Sequence, residues 1–150
     1  MNIISTQYTL KYKSLEIVVS GCLGDNGKHC VGCHSPETWN FDIGEDYNIK
    51  ISSIINKIQK ANELIDWIWI YGGEPLDNKH EDLIDMLDQL KQTRKPIMLF
   101  TRYGFEEVPD DIKLLCDYIK CGAYREDLKT DDNIQYGVKL ATSNQKIYKL

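Results

Sequence analysis

Three cysteines fall within one glycine-rich stretch, GCLGDNGKHCVGCHSPETW (21–39), spaced C-x7-C-x2-C as Cys22, Cys30 and Cys33. Thiolates bind zinc and iron–sulfur clusters. In a reducing compartment, clustered thiols more often bind metal or react than form disulfides. Structural zinc takes four protein ligands, so His29 or His34 would have to join the cysteines. Each of these histidines directly adjoins a cysteine, which makes shared tetrahedral ligation awkward. A four-iron cluster normally has four cysteines. Held by three, it leaves one iron open, and an open metal position takes a substrate or cofactor.

A ligand for such an iron needs a loop near the cysteines. YGGEP (71–75) offers one. Gly72 and Gly73 allow backbone to approach a ligand closely. Glu74 adds a carboxylate suited to a cationic amino group. Taken alone, the tripeptide is as well explained by a tight turn before a helix. Thr101 ends a third apolar run, where its hydroxyl serves either a ligand or the loop backbone. Cys116 and Cys121 straddle a strand at odd spacing, which places them on opposite faces as buried thiols.

These residues need a frame. LEIVVSG (15–21), DWIWIYGG (66–73), KPIMLFT (95–101) and CDYIKCG (116–122) read as short buried strands, and SNQKIYKL (143–150) as a further one. Trp67 and Trp69 alternate along the second and share a face, most simply one beneath a helix. Helices are expected over 50–65, with Ser52 or Ser53 as cap, and over 78–92, with Asn78 as cap and Glu81 completing a capping box. A third, short helix starts at Pro109. Strands alternating with helices make βαβ units and a parallel sheet, which binds ligands at the carboxyl ends of its strands. The cysteine loop, Gly72–Glu74, Thr101 and Gly122 all fall at such ends. The 150 residues are too few for a full eight-fold barrel of ~250. The expected fold is therefore α/β: one domain over 1–150, an open partial (β/α) barrel of about five to six strands.

With these elements in order, the chain resembles the radical S-adenosylmethionine superfamily. Within it, the chain is similar to the activating enzymes of anaerobic ribonucleoside-triphosphate reductases. CHSPETW (33–39), CDYIKCGAYREDLK (116–129) and LATSNQKIYKL (140–150) carry the narrower likeness. The resemblance implies a [4Fe-4S] cluster on Cys22, Cys30 and Cys33, with S-adenosylmethionine chelating the fourth iron. It implies that Gly72, Gly73 and Glu74 hold the methionine end, that Thr101 meets the cofactor's ribose or carboxylate, and that Asn144 and Gln145 bind the cofactor or position the substrate glycine. The implied reaction is one-electron cleavage of S-adenosylmethionine, followed by hydrogen abstraction from a glycine of the reductase. The implied partners are that reductase and a one-electron donor such as flavodoxin or ferredoxin. The sequence departs from these patterns in four places. Its first cysteine gap has seven residues where three are usual, Gly32 stands where an aromatic is usual, Ala123 replaces a proline, and Lys146 replaces the arginine after Asn-Gln. Gly24, Asp25, Asn26 and Gly27 are strong turn formers, so LGDNGKH (23–29) is expected to loop outward while the sulfurs meet.

Composition narrows the field further. A net charge of −5 argues against a general nucleic-acid binder. No apolar run approaches the ~20 residues of a membrane helix, and the first residues lack a secretion signal, so a cytoplasmic protein is expected. Two other readings stay open: a radical enzyme acting on a small molecule, such as a 7-deazaguanine synthase, and a non-enzymatic zinc module.

Overall fold

A computed structural model describes all 150 residues. Nine strands and three helices follow one another as β1 (Asn2–Thr9), β2 (Ser14–Val19), β3 (Glu45–Asp46), α1 (Tyr47–Lys60), β4 (Trp67–Gly72), α2 (His80–Lys91), β5 (Ile97–Phe100), α3 (Asp110–Leu115), β6 (Tyr118–Cys121), β7 (Ile134–Gln135), β8 (Val138–Lys139) and β9 (Lys146–Lys149). Seven strands form one open sheet in the order β3-β1-β2-β4-β5-β6-β9. Its centre, β2-β4-β5-β6, is parallel, while β1 and β3 on one side and β9 on the other are antiparallel. The sheet is thus wider than the expected five to six strands. The additions are β1, which folds back on β2 as a hairpin, and the two-residue β3 paired with it. The polar alternation of β1, NIISTQYT, fits a strand buried on one face.

The helices cover one face only. Ile17, Val19, Ile68, Ile70, Ile97, Leu99 and Ile119 point into a core built with Ile51, Ile54 and Ile58 of α1 and Leu83, Met86, Leu87 and Leu90 of α2. The alternate residues face the other way. There Trp69, Met98 and Ile147 pack with Val138 and Leu140 of the C-terminal segment, flanked by Tyr12, Trp67, Tyr71, Phe100 and Tyr118. Trp67 and Trp69 do share a face, but it is the helix-free one. Ile68 and Ile70 take the helix side, in the core with the apolar stripes of α1 and α2.

Local signals shift several boundaries. Asp46, not a serine, caps α1, accepting from Asn48 N at 2.9 Å. Asn78 is not the cap of α2; its amide donates to Ser20 O at 2.9 Å and Glu74 O at 3.2 Å, tying two loops together. Cys116 lies at the end of α3 rather than in a strand, so it joins Cys121 in the same core instead of opposing it. No helix is long and apolar enough to cross a membrane.

Candidate metal centre

Because the four central strands run parallel, their carboxyl ends open on one edge of the sheet. A cavity of about 210 Å³ sits there, lined by Cys22, Cys30 and Cys33, by Tyr71, Gly72, Gly73 and Glu74, and by Thr101, Arg102, Lys120, Tyr124 and Gln145 among others. Every expected site residue except Asn144 is in this lining.

Cys22 lies three residues past the end of β2. Its N–H donates to Trp39 O at 3.2 Å, and Gly21 N donates to Thr38 O at 2.7 Å, so the start of the loop is pinned to its end. His29 stacks on Trp39 with ring centroids 3.8 Å apart. Its Nε2 meets Cys22 O at 2.9 Å, which makes it a brace within the loop. The wide gap has a simple shape. Asp25 and Lys28 exchange two backbone hydrogen bonds, 2.8 and 2.9 Å, around an Asn26-Gly27 turn. Both turn residues have positive φ, 50° and 77°, the requirement of a tight hairpin turn. The seven residues therefore do loop outward, as an exposed hairpin.

The sulfurs behave differently. All five cysteines are free thiols. Cys22, Cys30 and Cys33 share the cavity, yet no three of the chain's His, Cys, Asp or Glu side chains are gathered at one ligation point. Cys30 is exposed, and Gly32, next to Cys33, has φ +66° with nothing within 4 Å of where a Cβ would stand. Cys33 N donates to Cys30 O at 3.2 Å, so a tight turn joins the second and third cysteines. The donor set and its loop suit iron–sulfur ligation on chemistry.

The glycine loop packs against the cysteine loop more tightly than any side chain allows. A Cβ on Gly73 would lie 2.2 Å from Gly21 O, and Gly72 has φ +125°. Glu74 N then donates to Gly21 O at 2.6 Å.

Glu74 is 2 % exposed. Its Oε1 accepts from Thr101 Oγ1 at 2.7 Å and Leu76 N at 3.2 Å, and its Oε2 from Arg102 N at 2.7 Å. Burial pushes its pKa above the usual carboxylate range, against the pull of those three donors. Thr101 is thereby spent on Glu74 rather than free for a ligand.

Gln145 is buried, with Oε1 accepting from Ala141 N at 3.0 Å and Nε2 donating to Gly122 O at 3.3 Å. Asn144 lies outside the cavity and donates to Ala123 O at 2.9 Å.

Three contributors escape the sequence reading. Asp77 accepts from Leu23 N at 2.7 Å, Arg102 Nη2 at 3.0 Å and Tyr103 Oη at 2.7 Å, binding the cysteine loop to the loop after β5. Burial, with Asp77 adding to it, pushes the Tyr103 phenol up to about 12. Tyr71 presents its ring to the cavity and turns its hydroxyl away to Glu16, a buried carboxylate also held by Gln7 and Ser14. Lys120 lines the cavity from the helix-free face of β6. Burial pushes its ammonium down to about 8, although Glu74, Cys121 and Cys30 pull the other way. Burial also raises the Cys22 thiol, with Asp77 and Glu74 adding to it.

A family model described as a 4Fe-4S single cluster domain matches residues 13–148. No curated protein and no solved structure matches the chain.

Proposed function

Since this chain belongs to the family of 4Fe-4S single-cluster domains, an iron–sulfur family linked to radical S-adenosylmethionine enzymes, we propose that it is a glycyl-radical activating enzyme. In this reading Cys22, Cys30 and Cys33 ligate three irons of one [4Fe-4S] cluster, and S-adenosylmethionine occupies the fourth. The observation that carries the reading is the single cavity shared by the three thiols, the Gly72-Gly73-Glu74 loop and the ends of four parallel strands. When bound, the cluster would supply the electron that cleaves S-adenosylmethionine and so initiates hydrogen abstraction from a glycine of an anaerobic ribonucleoside-triphosphate reductase.

The chain's own residues do the positioning. Gly73, with no Cβ, lets the loop backbone reach the amino-acid end of the ligand. Glu74 has one acceptor site left on Oε2 after its three donors, enough for one N–H of an ammonium. Asp77 and Arg102 fix the two loops relative to each other, so that the cysteine loop closes over a set geometry. The sheet serves as the wall of a partial barrel in a cytoplasmic enzyme, and the reductase completes the wall when its glycine loop enters. A flavodoxin- or ferredoxin-like donor provides the electron.

Anaerobic reconstitution with iron and sulfide, followed by dithionite and S-adenosylmethionine, tests this. The expected product is 5′-deoxyadenosine, with a glycyl-radical signal in electron paramagnetic resonance when an anaerobic ribonucleotide reductase is added. A fully loaded protein that never cleaves S-adenosylmethionine overturns the reading. Cleavage without a glycyl signal redirects it to a small-molecule substrate.

A further inference from the structure

The sheet ends in two edge strands, and they differ. β9 is KIYK, with Lys146 and Lys149 exposed at its ends. Lysines on an edge strand keep a second strand from pairing with it. β1, NIISTQYT, is twice as long and holds neither a charge nor a proline. On its outer side β3 pairs only with Asn2 and Ile3. From Ser5 to Thr9, alternate residues therefore turn their N–H and C=O groups outward with no strand to take them. Apolar side chains lie at the same edge: Tyr8 is 42 % exposed, and Leu10, just past the strand, 77 %. Beside Thr6 a hollow of about 280 Å³ opens between β1 and α1, lined by Glu45, Ile49, Lys50 and Ile54 among others. An edge left open in this way is a template for strand addition. None of these residues lines the cysteine cavity.

Charges at the two ends of the open edge decide what fits it. At the Asn2 end stand Glu45 and Asp46 of β3, both exposed. Glu45 meets only Lys50, at 3.5 Å, and stays 52 % exposed. At the other end, in the turn after Thr9, Lys11 and Lys13 are exposed, and Lys11 joins no ion pair. A second copy of β1 laid antiparallel reverses this polarity. Each copy's Lys11 then comes to the other's Glu45, twice about one two-fold axis at Gln7, the middle of the open run. A parallel copy would set lysine against lysine and glutamate against glutamate. We infer that the chain forms a symmetric dimer by antiparallel pairing of β1 with β1 of a second copy, with Lys11 of each facing Glu45 of the other. The two sheets become one, and because the copies run in opposite directions their cysteine cavities open on opposite edges of it. The inference does not depend on the chemistry proposed for the cavity.

Sedimentation equilibrium of the full chain, with and without reconstituted iron and sulfide, reads the oligomeric state over a wide range of protein concentration. The natural protein is expected to dimerise. Lys11→Glu and Glu45→Lys should each raise the dimer dissociation constant roughly tenfold, since an exposed ion pair is weak but the axis counts it twice. Both changes in one chain restore opposite charges across the axis and should bring the constant back within about twofold of the natural value. Ser5→Lys guards the open run as β9 is guarded, and should leave a monomer. Circular dichroism checks that each variant keeps the fold. A natural protein that is monomeric at every concentration overturns the inference and leaves the edge to a strand of another protein. So does a dimer that Ser5→Lys leaves intact, or one whose weakening by the single charge reversals is not repaired by combining them.

Discussion

Thr101 Oγ1 donates to Glu74 Oε1 across 2.7 Å, joining the loops that leave two neighbouring parallel strands. The same carboxylate takes the N–H groups of Leu76 and Arg102. Glu74 is therefore a keystone before it is a ligand contact. Glu74→Ala would orphan three donors in a buried place, and Glu74→Gln would turn an amide towards at least one of them. Glu74→Ala should cost about 2–4 kcal/mol and Thr101→Val about 1–2 kcal/mol of unfolding free energy. Urea titrations of the purified variants check this; losses below ~0.5 kcal/mol for both would contradict the keystone role.

The hairpin in the cysteine loop makes a second expectation. Residues 25–28 are a closed unit, and excising them joins Gly24 to His29 and leaves three residues between Cys22 and Cys30. If the hairpin is only an outward excursion, the shortened protein keeps its iron–sulfur loading within about twofold, because shortening a surface loop changes closure entropy little. Iron and sulfide assays read the outcome. Loss of loading would mean that the hairpin itself shapes the site.

Asp77 gives a third. It fixes the cysteine loop through Leu23 N and the loop after β5 through Arg102 and Tyr103. Asp77→Ala leaves Arg102 without its ion pair and should reduce cluster loading severalfold while the sheet still folds. Circular dichroism and iron content separate the two effects. Unchanged iron content would show that the loops are set by other contacts.

Much of this was legible in the chain. The runs LEIVVSG and DWIWIYGG marked strands by their apolar β-branched and aromatic content, and the glycines closing them marked the ligand edge. Asn26-Gly27 marked the turn. What periodicity does not encode is the assignment of faces. Alternation shows that Trp67 and Trp69 share a side, but only the placement of α1 and α2 decides which side is covered. Lys120 was hidden for the same reason: a lysine within a strand reads as solvated until the strand is known to end in a cavity. Asn144 and Gln145 are neighbours of similar chemistry, and only the backbone entering β9 sends one inward and the other to Ala123. Asp77, two residues past a proline, looked like an ordinary turn acid.

Lys120 also predicts a pH effect on the protein without its cluster. Burial lowers its ammonium from 10.5 to about 8 in the folded state. Between those values the unfolded chain binds more protons at this residue, so its contribution to stability rises with pH. Below the folded value the full penalty is in force. Lys120→Met should therefore stabilise the apoprotein at pH 7 by roughly 1–2 kcal/mol, allowing for solvent screening, and the gain should fade towards pH 10. Thermal unfolding of both proteins across that range reads the difference. A gain that is constant with pH would locate its origin in packing instead.

The central claim is that three cysteines leave one iron for S-adenosylmethionine, and iron-57 Mössbauer spectra of the reconstituted protein test it most directly. The account predicts that adding S-adenosylmethionine alters one iron in every four while the other three keep their thiolate signature. It also predicts that Cys22→Ala, Cys30→Ala and Cys33→Ala each abolish the four-iron spectrum, whereas Cys116→Ala does not. A four-iron spectrum that S-adenosylmethionine leaves unchanged, or one that survives loss of any of the three loop cysteines, would contradict it.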